Sequence, residues 1–328
     1  MNKISRLLFL SILLSAGIAA QALAQVSSRV ARAWPDIDFS EALVDPGEII
    51  SGGVGRDGIP PVYDPAFEPQ ADITWLEGSE PVISVEVEGV ARAYPLQILT
   101  LHEIVNDRIG GIPVAVTYCP LCNAAIVFDR RLEGQTLTLG VSGLLRNSDL
   151  IMWDHETESL WQQFEGLAIA GDQAGAELAR LPSRLESYAE FQARHSDGEV
   201  LSRPRPNFPY GRNPYVGYDE LWQQPFLYRG EMPEGIPPML RVVVVDDQAW
   251  NLALVAEAGE IISGDIRLTR QADQNSALDT AAISGGRLVT GVQVEARDEN
   301  GNWQLRPYDV TFAFVFHAFR PEGTIFME

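Results

Sequence analysis

The sequence predicts an α+β fold, mostly antiparallel β-sheet with a few helices and with two related halves as a further expectation. Three observations carry this. Short apolar runs of strand length recur along the chain, turn residues punctuate them at short intervals, and a motif from the first half is echoed in the second. PVISVEVEGVARAYPL (81–96) reads as two strands joined at Glu88-Gly89. In Leu96 to Arg108, Ile98, Leu101, His102 and Val105 fall at i, i+3, i+4 and i+7, which predicts a helix with His102 on its apolar face. Gly110-Gly111 ends it, Val114 to Tyr118 is a strand, and CPLCNAAIVFDR leads into another. Strands are expected over 136–142 and 150–154, and a helix over 184–195. PMLRVVVVDDQAWNLAL followed by GEIISGD repeats the order of the first strand pair and HEIVND, with Gly259 standing where His102 does.

The chain is expected to be exported. Lys3 and Arg6 precede an apolar core from Leu7 to Ala20, too short for a comfortable bilayer span. Ala22-Leu23-Ala24 is a small-x-small cleavage site, so residues 1–24 read as a signal peptide and the mature protein begins at Gln25, in the periplasm or outside the cell. No later apolar run is long enough to cross a membrane. Residues 25–202 are read as a domain holding both cysteines, 203–220 as a loop or boundary rich in Pro, Tyr and Arg, and 221–328 as a second β-rich half. The Gly- and Pro-rich stretch before residue 70 reads as an irregular wrap.

A formal net charge of −21 argues against nucleic acid and anionic membrane partners, which require clustered Lys and Arg. Hydrophobic residues make up 46%, enough for a real core, and with two cysteines in 328 residues the chain is no disulfide scaffold.

Those two are Cys119 and Cys122, in Cys119-Pro120-Leu121-Cys122. The spacing allows a small disulfide, a redox pair with Cys119 attacking and Cys122 resolving, or a copper or zinc site in which His102 is the candidate third ligand. Metal binding leads these readings because the two thiolates are soft ligands at chelating distance. Asn123 stands where a c-type haem site needs His, and the strand-like segment after Cys122 is unlike the helix of a thioredoxin site. Glu103 and Asn106 are candidate partners for His102, and Tyr118 adjoins Cys119.

A second polar cluster, SGLLRNSDLIMWDHETESLWQQ (142–163), adds Arg146, Ser148, Asp154 and Trp161 as candidate neighbours. It also contains Ser and His, but no G-x-S-x-G elbow supports a nucleophile set. His317, in TFAFVFHAF, reads as packing on a strand, and His195 as the end of a helix. A third functional reading is a non-catalytic binding module using Tyr210, Tyr215, Tyr218, Arg205 and Arg212, with a merely structural cysteine pair.

WLEGSEPVISVEVEGVARAYPLQILTLHEIVND, GGIPVAVTYCPLCNAAIVFDR, the 142–163 cluster and YGRNPYVGYD together resemble the bacterial and archaeal family known as domain of unknown function 3179. The resemblance spans most of the mature chain. It implies an exported protein centred on HEIVND and TYCPLC, and brings no activity with it. The family usually shows an Arg-Gln pair where this chain has His155 and Glu156.

Overall fold

The computed structural model describes residues 25–328, so the expected signal peptide lies outside the described residues. The protein is mostly β, with 39% strand and 15% helix, and five small sheets form a five-bladed β-propeller. This overturns the α+β expectation with two related halves. The individual strands are largely where alternation puts them; their grouping is not, because four of the five blades take at least one strand from far along the chain.

The blade that begins the ordered core joins β3 (Pro81–Val87) and β4 (Val90–Pro95) as a hairpin. β15 (Arg184–Ser187) flanks it antiparallel to β3, while β16 (Glu199–Leu201) runs parallel to β4 and β2 (Phe67–Pro69) closes the edge. A later blade is wired the same way. The hairpin of β17 (Arg241–Val245) and β18 (Gln248–Asn251) is flanked by β23 (Asp309–Phe312), antiparallel, and β24 (Thr324–Phe326), parallel. This likeness of two blades underlies the echo in the sequence, but three others complete the ring.

One of those consists of β5 (Ile104–Ile109), β6 (Ile112–Cys119), β7 (Ala124–Asp129) and β14 (Arg180–Leu181). Its two central strands are buried along nearly their whole length, so both faces are covered and their apolar runs are continuous. The next blade orders β1 (Ile50–Ser51), β10 (Leu139–Arg146), β11 (Asp149–Asp154), β12 (Leu160–Gln162) and β13 (Leu167–Ala170). The fifth is a meander of β19 (Glu260–Ser263), β20 (Ile266–Asn275), β21 (Leu288–Arg297) and β22 (Trp303–Leu305). A small ribbon, β8 (Arg131–Leu132) with β9 (Gln135–Thr136), stands apart.

Helices are short. After α1 (Ser28–Ala33), the remaining four each follow directly on a strand: α2 (Leu96–His102), α3 (Tyr188–Arg194), α4 (Leu252–Ala258) and α5 (Ala313–Phe319). The expected helix over 96–108 therefore stops at His102, and Ile104 to Ile109 is strand. The i+7 match of Val105 belongs to the strand that follows. The expected helix over 184–195 likewise starts four residues late, at Tyr188, with Ser187 capping the N–H of Glu190. His317 lies on a helix rather than a strand. His195 is the residue at which α3 ends, its N–H donating to the Phe191 carbonyl.

The core ignores the 203–220 segment as a divider. One apolar cluster packs Val116 and Val127 with Val243 and Val310. No regular strand or helix occurs from Ser202 to Leu240, and this stretch lies against the blades that carry the cysteines.

Candidate functional site

Cys119 ends β6, and Pro120 to Asn123 turn the chain into β7, pairing Cys119 with Ala124. Asn123 takes a left-handed conformation (φ 51°), which Asn tolerates better than most residues. Its amide donates to the Val310 carbonyl at 2.8 Å, and the Thr311 hydroxyl donates to the Cys122 carbonyl at 2.7 Å. The cysteine turn is thus pinned from β23 of the neighbouring blade. Both thiols are buried and unlinked.

Facing them is Asp149. The hairpin of β10 and β11 turns at Asn147 (φ 53°) and Ser148 (φ 66°), a two-residue left-handed turn that sets Asp149 opposite Arg146. One carboxylate oxygen, Oδ2, accepts from Gln162 Nε2 at 2.7 Å and from the Phe164 N–H at 2.9 Å. Oδ1 is buried and has no hydrogen-bond partner among the described residues. Cys119 Sγ, Cys122 Sγ and an Asp149 oxygen all lie within 4.8 Å of one another.

The second acid of the neighbourhood is Glu103, buried one residue beyond α2. It closes the helix in a left-handed conformation (φ 59°, ψ −35°), its N–H donating to the Leu99 carbonyl at 2.7 Å. Burial and the nearby Asp149 push its carboxyl up to about 8. Burial pushes Asp149 up to about 7. Both thiols are pushed up as well, by burial first; Cys122 is pushed further by Cys119 and Asp149, and Cys119 by Asp149 and Glu103 although Cys122 draws it back. The site is desolvated, and burial favours the protonated forms of its carboxyls and thiols.

His102, the expected third ligand, is elsewhere. Its Nδ1 meets the Pro60 carbonyl at 2.6 Å and its Nε2 meets the Tyr210 hydroxyl at 2.8 Å, with the Tyr210 ring stacked alongside. Both ring nitrogens are occupied, and burial lowers the pKa of the imidazole. Asn106 is structural: its side chain donates to the Leu139 carbonyl and accepts from the Leu139 N–H, stitching two blades together. Arg146 pairs with Glu48 at 2.8 Å and lies near Glu165. Asp154 holds the turn at Thr157 and accepts from Trp161 Nε1 at 2.8 Å, which accounts for both residues.

Three of the expected neighbours do reach the site. The Ser148 carbonyl lies 3.9 Å from Cys119 Sγ, and its hydroxyl donates to the Phe226 carbonyl. Tyr118 is buried beside Asn123, its hydroxyl 3.3 Å from Oδ1. Glu103 is the third. From the 203–220 segment, Tyr215 and Tyr218 line the space beside Leu121, whereas Arg205 makes its aromatic contact at Phe208. Asp149 was not among the expected residues. An acid directly after Asn-Ser reads as part of a polar turn; the signal that sets it apart is its place at the head of the otherwise apolar strand DLIMW.

Residues 56–323 match the family model described as protein of unknown function (DUF3179). The chain belongs to that family. The match takes in Glu103, Cys119, Cys122 and Asp149, so the acidic thiol cluster lies within the matched region. No curated protein and no solved structure matches the chain. Among the described residues no helix is long and apolar enough to cross a membrane.

Proposed function

We propose that this protein binds a thiophilic divalent cation, zinc in preference to copper(I), through Cys119, Cys122 and Asp149. The observation that carries the reading is Asp149, buried with one carboxylate oxygen lacking a hydrogen-bond partner among the described residues and with a carboxylate oxygen within 4.8 Å of both sulfurs. A carboxylate beside two thiolates is a harder set than copper(I) favours and suits zinc, and three buried anions are better balanced by a dication. Three protein ligands leave one tetrahedral position for water or substrate, where a metal supplies Lewis acidity. Asp149 takes the place that the sequence assigns to His102, and Gln162 and the Phe164 N–H orient its carboxylate from behind.

Thiol redox chemistry is less well supported. An attacking cysteine requires a stabilised thiolate, and here burial and the surrounding acids favour the protonated thiols. A metal ion reverses that balance by its own charge. We read the N-terminal segment as a signal peptide cleaved after Ala24, so the cation would be acquired outside the cytoplasm.

The test is metal content after equilibration of the mature protein with buffered zinc. We expect one zinc per chain in the wild type and in His102→Gln, and its loss in Cys119→Ser and Asp149→Asn. Failure of the wild type to retain zinc, or equal loss in His102→Gln, would overturn the assignment.

A further inference from the structure

Glu103 stands where a carboxyl group is costly. It is only 7% exposed, its backbone is left-handed, and no described residue hydrogen-bonds its side chain. It lines a cavity of about 230 Å³ whose other walls are apolar, among them Ile59, Val141, Leu145 and Leu150. Leu121, Tyr215 and Phe226 are shared with a second cavity of about 430 Å³, to which Gln223 and Gln224 contribute. Val54 and Phe226, 38% and 50% exposed, mark where this space meets solvent. No Lys, Arg or His lines either cavity.

We infer that the adjoining cavities bind a small organic amine, with its ammonium group on the Glu103 carboxylate and its apolar body against Ile59, Val141, Leu145 and Leu150. A buried carboxylate without donors is stabilised most by a cation that brings its own N–H groups. The walls reward an apolar body by removing it from water, and Tyr215 and Phe226 supply aromatic rings beside the approach. An alcohol would satisfy one acceptor and leave the charge uncompensated. A carboxylic acid would meet the field of Glu103, Asp149 and a strongly acidic chain. None of Cys119, Cys122 or Asp149 lines the cavities, although Glu103 lies near enough to Asp149 to feel its charge.

Titration calorimetry of the mature protein at about pH 8.5, where Glu103 is largely ionised and an alkylammonium still keeps its proton, tests it with benzylamine, benzyl alcohol and benzoate. Benzylamine should bind at least about tenfold more tightly than the alcohol, and benzoate not at all. Glu103→Gln should bring the amine down to the affinity of the alcohol. Val54→Arg, at a half-exposed position, should weaken the amine about tenfold while the melting temperature of the unliganded protein stays unchanged. Cys119→Ser should keep the preference for amine while failing to hold zinc, which separates this inference from the metal assignment. Equal affinity for amine and alcohol, indifference to Glu103→Gln, or no binding of any probe would overturn it.

Discussion

Two corners of the molecule are built alike and used differently. In each, a β-hairpin runs into a seven-residue helix that ends in a left-handed residue before the next strand. At the second corner that residue is Gly259 (φ 75°, ψ −43°), with nothing within 4 Å of where a Cβ would stand. At the first it is Glu103, in nearly the same conformation. Glycine takes up this geometry easily, whereas a side chain adds about 1–2 kcal/mol. Burial sharpens the contrast: six of the seven residues of α2 are buried, against Leu252 and Val255 in α4. The second corner shows what the fold needs, and the first shows a strained, buried carboxyl added to that need beside two thiols and Asp149.

Metal removal should separate the corners most. If zinc is present at about a thousand times its dissociation constant, stripping it should cost about 4 kcal/mol. Amide exchange should accelerate over 103–123 and 147–151 while 259–275 stays as before. Uniform acceleration would mean that the cation does not act locally.

Next in size is the effect of pH on metal-free protein. Glu103 and Asp149 titrate in the fold at about 8 and about 7, well above ordinary carboxyls. Raised carboxyl pKa values mean that their contribution is fully present at acid pH and is lost as pH climbs through the folded values. Measured against Glu103→Gln, the wild type should therefore lose up to about 4 kcal/mol between pH 5 and pH 9. A constant difference would show that Glu103 titrates like a surface group.

Exchanging the corner residues is a smaller effect. Glu103→Gly should stabilise metal-free protein by about 1–2 kcal/mol at pH 9, and Gly259→Glu should destabilise it by about 1 kcal/mol, both read from chemical denaturation. Smallest is His102→Gln, which removes two hydrogen bonds at about 1 kcal/mol or less and leaves zinc content untouched.

These corners also show how far the sequence could be read. Alternation located the hairpins, and the spacing of Cys119 and Cys122 named the thiols. The end of α2 was misplaced because Val105 continues a helical spacing by coincidence, although it belongs to the following strand. Asp149 escaped notice because its ligand geometry arises from the turn at Asn147-Ser148 together with the return of β6, a pairing between blades. The five-bladed ring was hidden for a related reason: β3 and β4 find their flanking strands only beyond residue 183.

That last feature has a kinetic side. The blade opened by β3 and β4 cannot close until Arg184 to Leu201 arrive, after two other blades have intervened. Its pairings are of high contact order, so the entropy of a long loop must be overcome before they form. The cysteine hairpin, by contrast, is made from adjacent strands, and its cover from the 203–240 stretch comes later in the chain. The two thiols are thus brought together by local pairing, whereas what encloses them comes from residues about a hundred positions further along the chain.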